Sequence, residues 1–403
     1  MKVEVKVHKS LAFALGGLNF LHIADFAQVI IVEMLLVFAF LIGLVSSKGA
    51  NFKIIKEFRV LFIFGILWLF GQASSDFANR TDWLDSIKSL AQIIVLLCLI
   101  YWGFYWANKN VMVLKFYLFG YCFSSIPQYI FLPGLFGSSD PWKFIFGPSI
   151  TLLACLMLPK AGLSKFSTSA LLLVLVSLDL ALGARSLGLI TLLTIFMLLK
   201  TPLREKGFVV SVIFLVSVIV MLVGVYNSYA NLTINGAFGQ RQAEKFERQS
   251  QAGPILLVAR SELLYELQAI RQTGILGLGS APEVDQNYLE RVALRESNLG
   301  INHPSTAAFI QYNRDGRIPI HSMILGAWVE SGLFGVLFWF YLTWLVLVNI
   351  VKSTGREPIF GLACRYLTIN YLWAVLFSPL GAGSRMMIAI TISLVLQERI
   401  RKS

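Results

Sequence analysis

Charge is scarce in this 403-residue chain: Asp, Glu, Lys and Arg make up only 14%, while 57% is hydrophobic. A soluble domain carries about a quarter charged residues, so an ordinary soluble globular protein is excluded. Cysteine is scarcer still. Cys98, Cys122, Cys155 and Cys364 all lie in or beside apolar segments, which leaves no pattern for a disulfide framework or a cysteine metal cluster. Of the four histidines, none has the companion spacing of a metal ligand set, and no metal is implied. Internal repeats and low-complexity tracts are missing too, which argues against a solenoid or a chain with a separate soluble domain.

What the chain has in quantity is apolar segments of the length that crosses a hydrocarbon core of about 30 Å. Spans are predicted near 10–24, 27–47, 59–74, 88–107, 112–133, 144–158, 166–183, 186–199, 208–226, 321–350, 358–379 and 385–398. Asn19, His22 and Asp25 mark the first of them as a short hairpin partner. The fold class is therefore an all-α polytopic membrane protein. Nine spans occupy 1–226, a large, partly helical outer loop 227–320, and three more spans 321–403.

Charge placement tests the arrangement independently, because Lys and Arg gather in short cytoplasmic segments. Alternate segments from the N-terminus hold Lys2, Lys6, Lys9, Lys48, Lys53, Lys56, Arg59, Lys109, Lys160, Lys165, Lys200, Arg204, Lys206, Lys352, Arg356, Arg399, Arg401 and Lys402 against only Glu4, Glu57, Glu205, Glu357 and Glu398. Both termini are then cytoplasmic, and the large loop is periplasmic. Topology accounts for the net charge of +12, so the basic balance is no sign of nucleic-acid binding. The lysine-bearing N-terminus mimics a secretory signal, yet residues 19–25 offer no small-residue cleavage pattern.

Several residues are candidates for chemistry. Leu256, Ala259, Leu263, Leu267 and Ile270 recur at spacings of three and four, which predicts a helix over 256–272 ended by Gly274. On it Arg260 and Arg271 would lie within about 20° of one another and about 16 Å apart. Arg185 and Arg385 sit at outer junctions between spans, where a charge must meet water, a partner or the interface; Asp179 is a possible partner for Arg185. Asp25 and Glu33 must likewise be neutralised, paired or wet. On one continuous helix about 45 Å long over 321–350, His321, Trp328, Gly332 and Gly335 would share a face within about 40°, and Glu330 would point the other way. Such glycines allow close approach of a helix or lipid. Gly277-Leu278-Gly279-Ser280 is only superficially like a phosphate loop, lacking the lysine.

Taken together, Gly183-Ala184-Arg185-Ser186, then Ala259-Arg260 followed by Gly274, Gly277 and Gly279, then His321-Ser322 with Gly332 and Gly335 beyond it, resemble in order and spacing the motifs of the O-antigen ligase and polymerase superfamily. The resemblance implies an inverting GT-C glycosyltransferase of the bacterial inner membrane with a periplasmic site, needing neither metal nor other cofactor. It would take a glycan from undecaprenyl pyrophosphate and join it to a sugar hydroxyl of lipid A-core; in a polymerase the acceptor is another lipid-linked repeat unit. Arg185 and Arg260 would bind the diphosphate and His321 would act as base, with Arg271, Arg385 and Trp328 as further substrate contacts and Gly332 and Gly335 as helix-packing positions. The short loop 134–143 favours a ligase over polymerases with two large outer loops. A lipid-linked sugar flippase also needs many spans, but its substrate groups would sit near the midplane and its halves would repeat.

Overall fold

Where apolar residues run on without a breaker the chain is helical, and it turns where asparagine, glycine or proline interrupts. The computed structural model describes residues 2–21, 29–46, 56–131, 140–199, 224, 226–253, 258, 260–301, 316–352 and 360–400, and among these it contains helices and no strand. Helices α1 (Lys2–Gly17), α2 (Ile31–Ser46), α3 (Lys56–Asn79), α4 (Trp83–Phe131), α5 (Gly147–Met157), α6 (Lys165–Ala181) and α7 (Arg185–Leu199) form the first part. A helical stretch 226–234, then α8 (Gln240–Gln251), α9 (Glu262–Ile270) and α10 (Gln286–Asn298), make up the polar part. The chain closes with α11 (Met323–Ser331), α12 (Leu333–Lys352), α13 (Leu362–Phe377) and α14 (Ala382–Ile400). The expected span 208–226, His22, Asp25 and His303 fall wholly or largely outside the described residues.

Four helical segments among the described residues are long and apolar enough to cross a membrane: Glu57–Asn79, Trp83–Phe131, Trp142–Ala161 and Leu333–Ile350. The second is interrupted at Asn110, whose backbone is extended (φ −162°, ψ 103°) and whose Oδ1 accepts the Met112 N–H at 3.0 Å. In a straight helix Trp106 and Tyr117 would be about 16 Å apart; here their ring centroids are 6.1 Å apart, so α4 doubles back at Asn110. Its two arms coincide with the expected spans 88–107 and 112–133.

Helix α14 is the axis of the bundle. Every residue from Met386 to Leu396 is buried, which is why its sequence carries no polar stripe. Around it, Phe38, Ile66, Phe70 and Phe340 stay exposed, an outer surface compatible with lipid. The polar part has a small core of its own, Tyr265, Ala269, Tyr288, Val292, Ile318 and Val329. Because Val329 belongs to α11, that short helix joins the polar part to the bundle.

The expected continuous helix 321–350 is not what forms. Gly332, at φ +64° and ψ −145°, ends α11 and starts α12 on a new axis, so α11 is only nine residues long. The shared face of His321, Trp328, Gly332 and Gly335 does not exist, because the residues belong to different elements. Gly335 does act in packing: a Cβ there would lie 2.7 Å from the Ala327 carbonyl and 3.0 Å from Trp68 Nε1.

Candidate functional site

An arginine taken out of water needs a partner, and the arginines of this chain find different ones. Arg385 is fully buried and forks onto Glu33, Nε to Oε1 at 2.9 Å and Nη2 to Oε2 at 2.7 Å. That answers the question of Glu33 and removes Arg385 from the substrate contacts, since its fork is spent inside the bundle. Arg317 pairs with Asp85 at 2.7 Å and Arg399 with Glu57 at 3.2 Å. Arg385→Ala would leave Glu33 uncompensated at a cost of about 3–5 kcal/mol. Thermal unfolding should show it, and pairing Arg385→Met with Glu33→Gln should recover much of the loss; an unchanged midpoint in the single variant would contradict the pairing.

Arg185 and Arg260 are treated differently, and neither forms an ion pair among the described residues. Gly183, at φ +76°, lets the chain turn from α6 into α7 and leaves room for the Gln242 side chain. Arg185 follows at the start of α7. Its Nε donates to Tyr229 Oη at 2.8 Å and its Nη1 to Gln249 Oε1 at 3.0 Å, while Nη2 is buried with no acceptor among the described residues. The guanidinium lies 5.1 Å from the Tyr229 ring and 5.7 Å from that of Phe246. Asp179 is not its partner, because that carboxylate accepts Trp142 Nε1 at 2.9 Å.

Arg260 precedes α9 in a turn rather than lying within a helix that reaches Arg271. It stacks over Trp373 at 5.3 Å and Phe377 at 5.0 Å, both on α13. Arg271 caps the far end of α9, exposed and beside Arg295. The two do not share a site, so Arg271 is removed from the contacts of this one. Lys143, in a single π-turn at Trp142–Phe146, lies within electrostatic reach of Arg185, Arg260 and Lys245, with Asp140 as the opposing charge. The π-turn is anchored by the bond from Trp142 to Asp179.

His321 stands just before the Ser322 N-cap of α11, half-buried, with its imidazole within electrostatic reach of Arg260 and Glu262. Burial holds its pKa below the ordinary 6.5; Glu262 opposes this, and Arg260 adds a smaller push in the same direction as burial. The shift favours the neutral ring, the form able to accept a proton. Its backbone is fixed by Glu266, whose Oε1 accepts the His321 N–H and, at 2.9 Å, the Ser322 N–H. A carboxylate here satisfies two N–H groups at a helix N-terminus. The Ser322 hydroxyl caps α11 at Leu325 N and donates to the Val375 carbonyl at 3.1 Å. Trp328 is half-buried on α11.

The glycine-rich loop is no phosphate cradle, because the N–H groups of residues 278–281 are occupied. Leu278 N donates to Val329 O, Gly279 N to Glu330 O and Ser75 Oγ, Ser280 N to Asp76 Oδ1 at 2.6 Å, and Ala281 N to Glu330 Oε1. The loop instead straps α11 to α3.

Composition and spacing singled out Arg185, Arg260 and His321 but not Lys143, Lys245 or Glu266. In the sequence Lys143 is simply the one cation of the loop 134–143, and Glu266 one of several carboxylates in the polar part; only tertiary contact distinguishes them. Burial raises the Glu266 carboxyl to about 7, against the opposing hydrogen bonds from His321 and Ser322. A pKa raised from 4.5 gives stability that is complete below pH 4.5 and is lost as pH rises through about 7. That loss is on the order of 3 kcal/mol. Unfolding midpoints between pH 5 and 8 should fall less steeply in Glu266→Gln than in wild type; parallel slopes would remove this carboxyl as the source. No protein-family model, curated protein or solved structure shows significant similarity to the chain.

Proposed function

We propose that the protein is a metal-independent, inverting glycosyltransferase resembling the O-antigen ligases, acting at the periplasmic face of a bacterial inner membrane. In this reading twelve spans place both termini in the cytoplasm and 227–320 outside. It moves a glycan from undecaprenyl pyrophosphate to a sugar hydroxyl of lipid A-core. The observation that carries the reading is the sorting of arginines. Arg385, Arg317 and Arg399 are paired with carboxylates, whereas among the described residues Arg185 and Arg260 form no ion pair and rest on aromatic faces and neutral acceptors, with Glu262 acting on Arg260 only at longer range, which supports a role toward an anion. With Lys143 nearby they suit a diphosphate better than a single phosphate.

The chemistry follows from these groups. His321 takes the acceptor hydroxyl's proton as that oxygen attacks the anomeric carbon. The bond from that carbon to the diphosphate oxygen breaks, and the departing oxygen keeps the electron pair. Preorganised cations stabilise the charge that grows there. Attack from the opposite side inverts the centre, and the lipid diphosphate already stores the energy, so no nucleotide is consumed.

The test mixes purified protein with undecaprenyl-pyrophosphate glycan and either lipid A-core or a second lipid-linked unit, without nucleotide or divalent metal. Product on lipid A-core supports a ligase, lengthened lipid-linked glycan a polymerase, and no transfer to either contradicts both. Arg185→Ala and Arg260→Ala should each weaken donor binding by roughly 10- to 100-fold, the worth of one charge-assisted hydrogen bond set. Unchanged donor affinity would remove that arginine from the diphosphate site.

A further inference from the structure

Helix α9 touches the His321 segment through one carboxylate and brings a second close to the ring. Glu266 is fully buried and receives the peptide N–H groups of His321 and Ser322. Glu262 lies four residues earlier, on the same face one turn away. That turn faces the Arg260 end of α9, where the imidazole also lies, and the Glu262 carboxylate is within electrostatic reach of both His321 and Arg260. We propose that Glu262 is a positioning residue that serves as the counter-charge for the imidazolium formed on His321 during transfer. This rests on the transferase reading given above.

The physical need is specific. His321 begins neutral, in a half-buried place beside the Arg260 cation. When it accepts the hydroxyl proton, two positive groups stand together where water is sparse. Glu262 offsets that repulsion, while Glu266 fixes the backbone and Arg260 remains free to face the diphosphate. Arg260 and the base are thus both placed at the N-terminal end of one nine-residue helix. The charged groups acting on the ring from α9 and the turn before it are Glu262 and Arg260, while Glu266 holds the peptide N–H of residue 321; α13 contributes Trp373 and Phe377 over Arg260, which carry no charge. The proton balance closes simply: it passes from the acceptor hydroxyl to the imidazole, then to water once the lipid diphosphate has left.

The experiment reads the imidazole itself rather than turnover. In the full-length protein with His8, His22 and His303 changed to Gln, the rate of carbethoxylation of His321 by diethyl pyrocarbonate is followed against pH, since only the neutral ring reacts. Glu262→Gln should move the midpoint down by about 0.5 to 1 pH unit, and Glu262→Asp should restore part of the shift. Glu290→Gln, on the exposed side of α10, serves as the control and should leave it in place. Turnover in Glu262→Gln should fall through kcat with donor KM nearly unchanged. A midpoint in Glu262→Gln equal to wild type, in protein that retains its unfolding temperature, overturns the assignment. A shifted midpoint in a protein without transfer activity would leave the counter-charge standing and sink the transferase reading alone.

Discussion

His321→Ala is expected to lower glycan transfer by about 10²–10⁴-fold, the usual worth of a positioned base, while donor affinity changes little. The separation follows from geometry. Arg185 hangs on Tyr229 and Gln249, and Arg260 on Trp373 and Phe377, so neither depends on the imidazole for its position. The peptide of residue 321 supplies the N–H that Glu266 holds, and alanine keeps that N–H. The loss should therefore fall on kcat rather than on binding. In wild type, kcat/KM should rise with pH through a midpoint below 6.5, because burial disfavours the protonated ring. Turnover in His321→Ala within a few-fold of wild type would take the base role away from this residue.

Gly332→Ala is the substitution with the largest expected structural effect. Its backbone region is one that only glycine adopts without strain of about 1–3 kcal/mol. A Cβ there would stand 1.9 Å from the Ile275 carbonyl oxygen and 2.6 Å from backbone carbons of Ile275 and Leu276. Those atoms cannot swing aside as a side chain can, so the loop 275–281 must lift. Lifting it breaks the bond from Leu333 N to Ile275 O at 2.8 Å and pulls Ser280 from Asp76. A total loss above about 3 kcal/mol is expected from strain and unpaired groups together. Thermal unfolding and protease cutting within 275–281 would report it. Gly274→Ala, where nothing lies within 4 Å, should stay within about 0.5 kcal/mol of wild type; equal effects of the two would contradict the strap.

Helix positions were largely legible because apolar runs and their breakers are local properties. Residues 31–46, 166–181, 186–199 and 385–398 of four expected spans are helical, in α2, α6, α7 and α14, and Asn110 marks the fold of α4 that two separate spans had implied. Gly332 shows the limit. It was readable as a glycine needed for close approach, but its partner is a loop backbone nearly sixty residues earlier, and that contact turns one long helix into two. Arg185 and Arg385 were indistinguishable as span-end arginines. Only the bundle reveals that Glu33 meets one while a phenol and an amide meet the other. Glu266 was invisible for the same reason: its role is made by an N-terminus that arrives from another part of the chain.

The proposed function stands or falls on whether Arg185 and Arg260, neither of which forms an ion pair among the described residues, hold a lipid diphosphate. Its most direct test is the affinity of the purified protein for undecaprenyl pyrophosphate and for undecaprenyl monophosphate, in wild type and in the Arg185→Ala, Arg260→Ala double variant. Wild type is expected to prefer the diphosphate at least tenfold, and the double variant to lose this preference while still binding the lipid chain. Equal affinity for the two lipids in wild type, or an undiminished preference in the double variant, would contradict it.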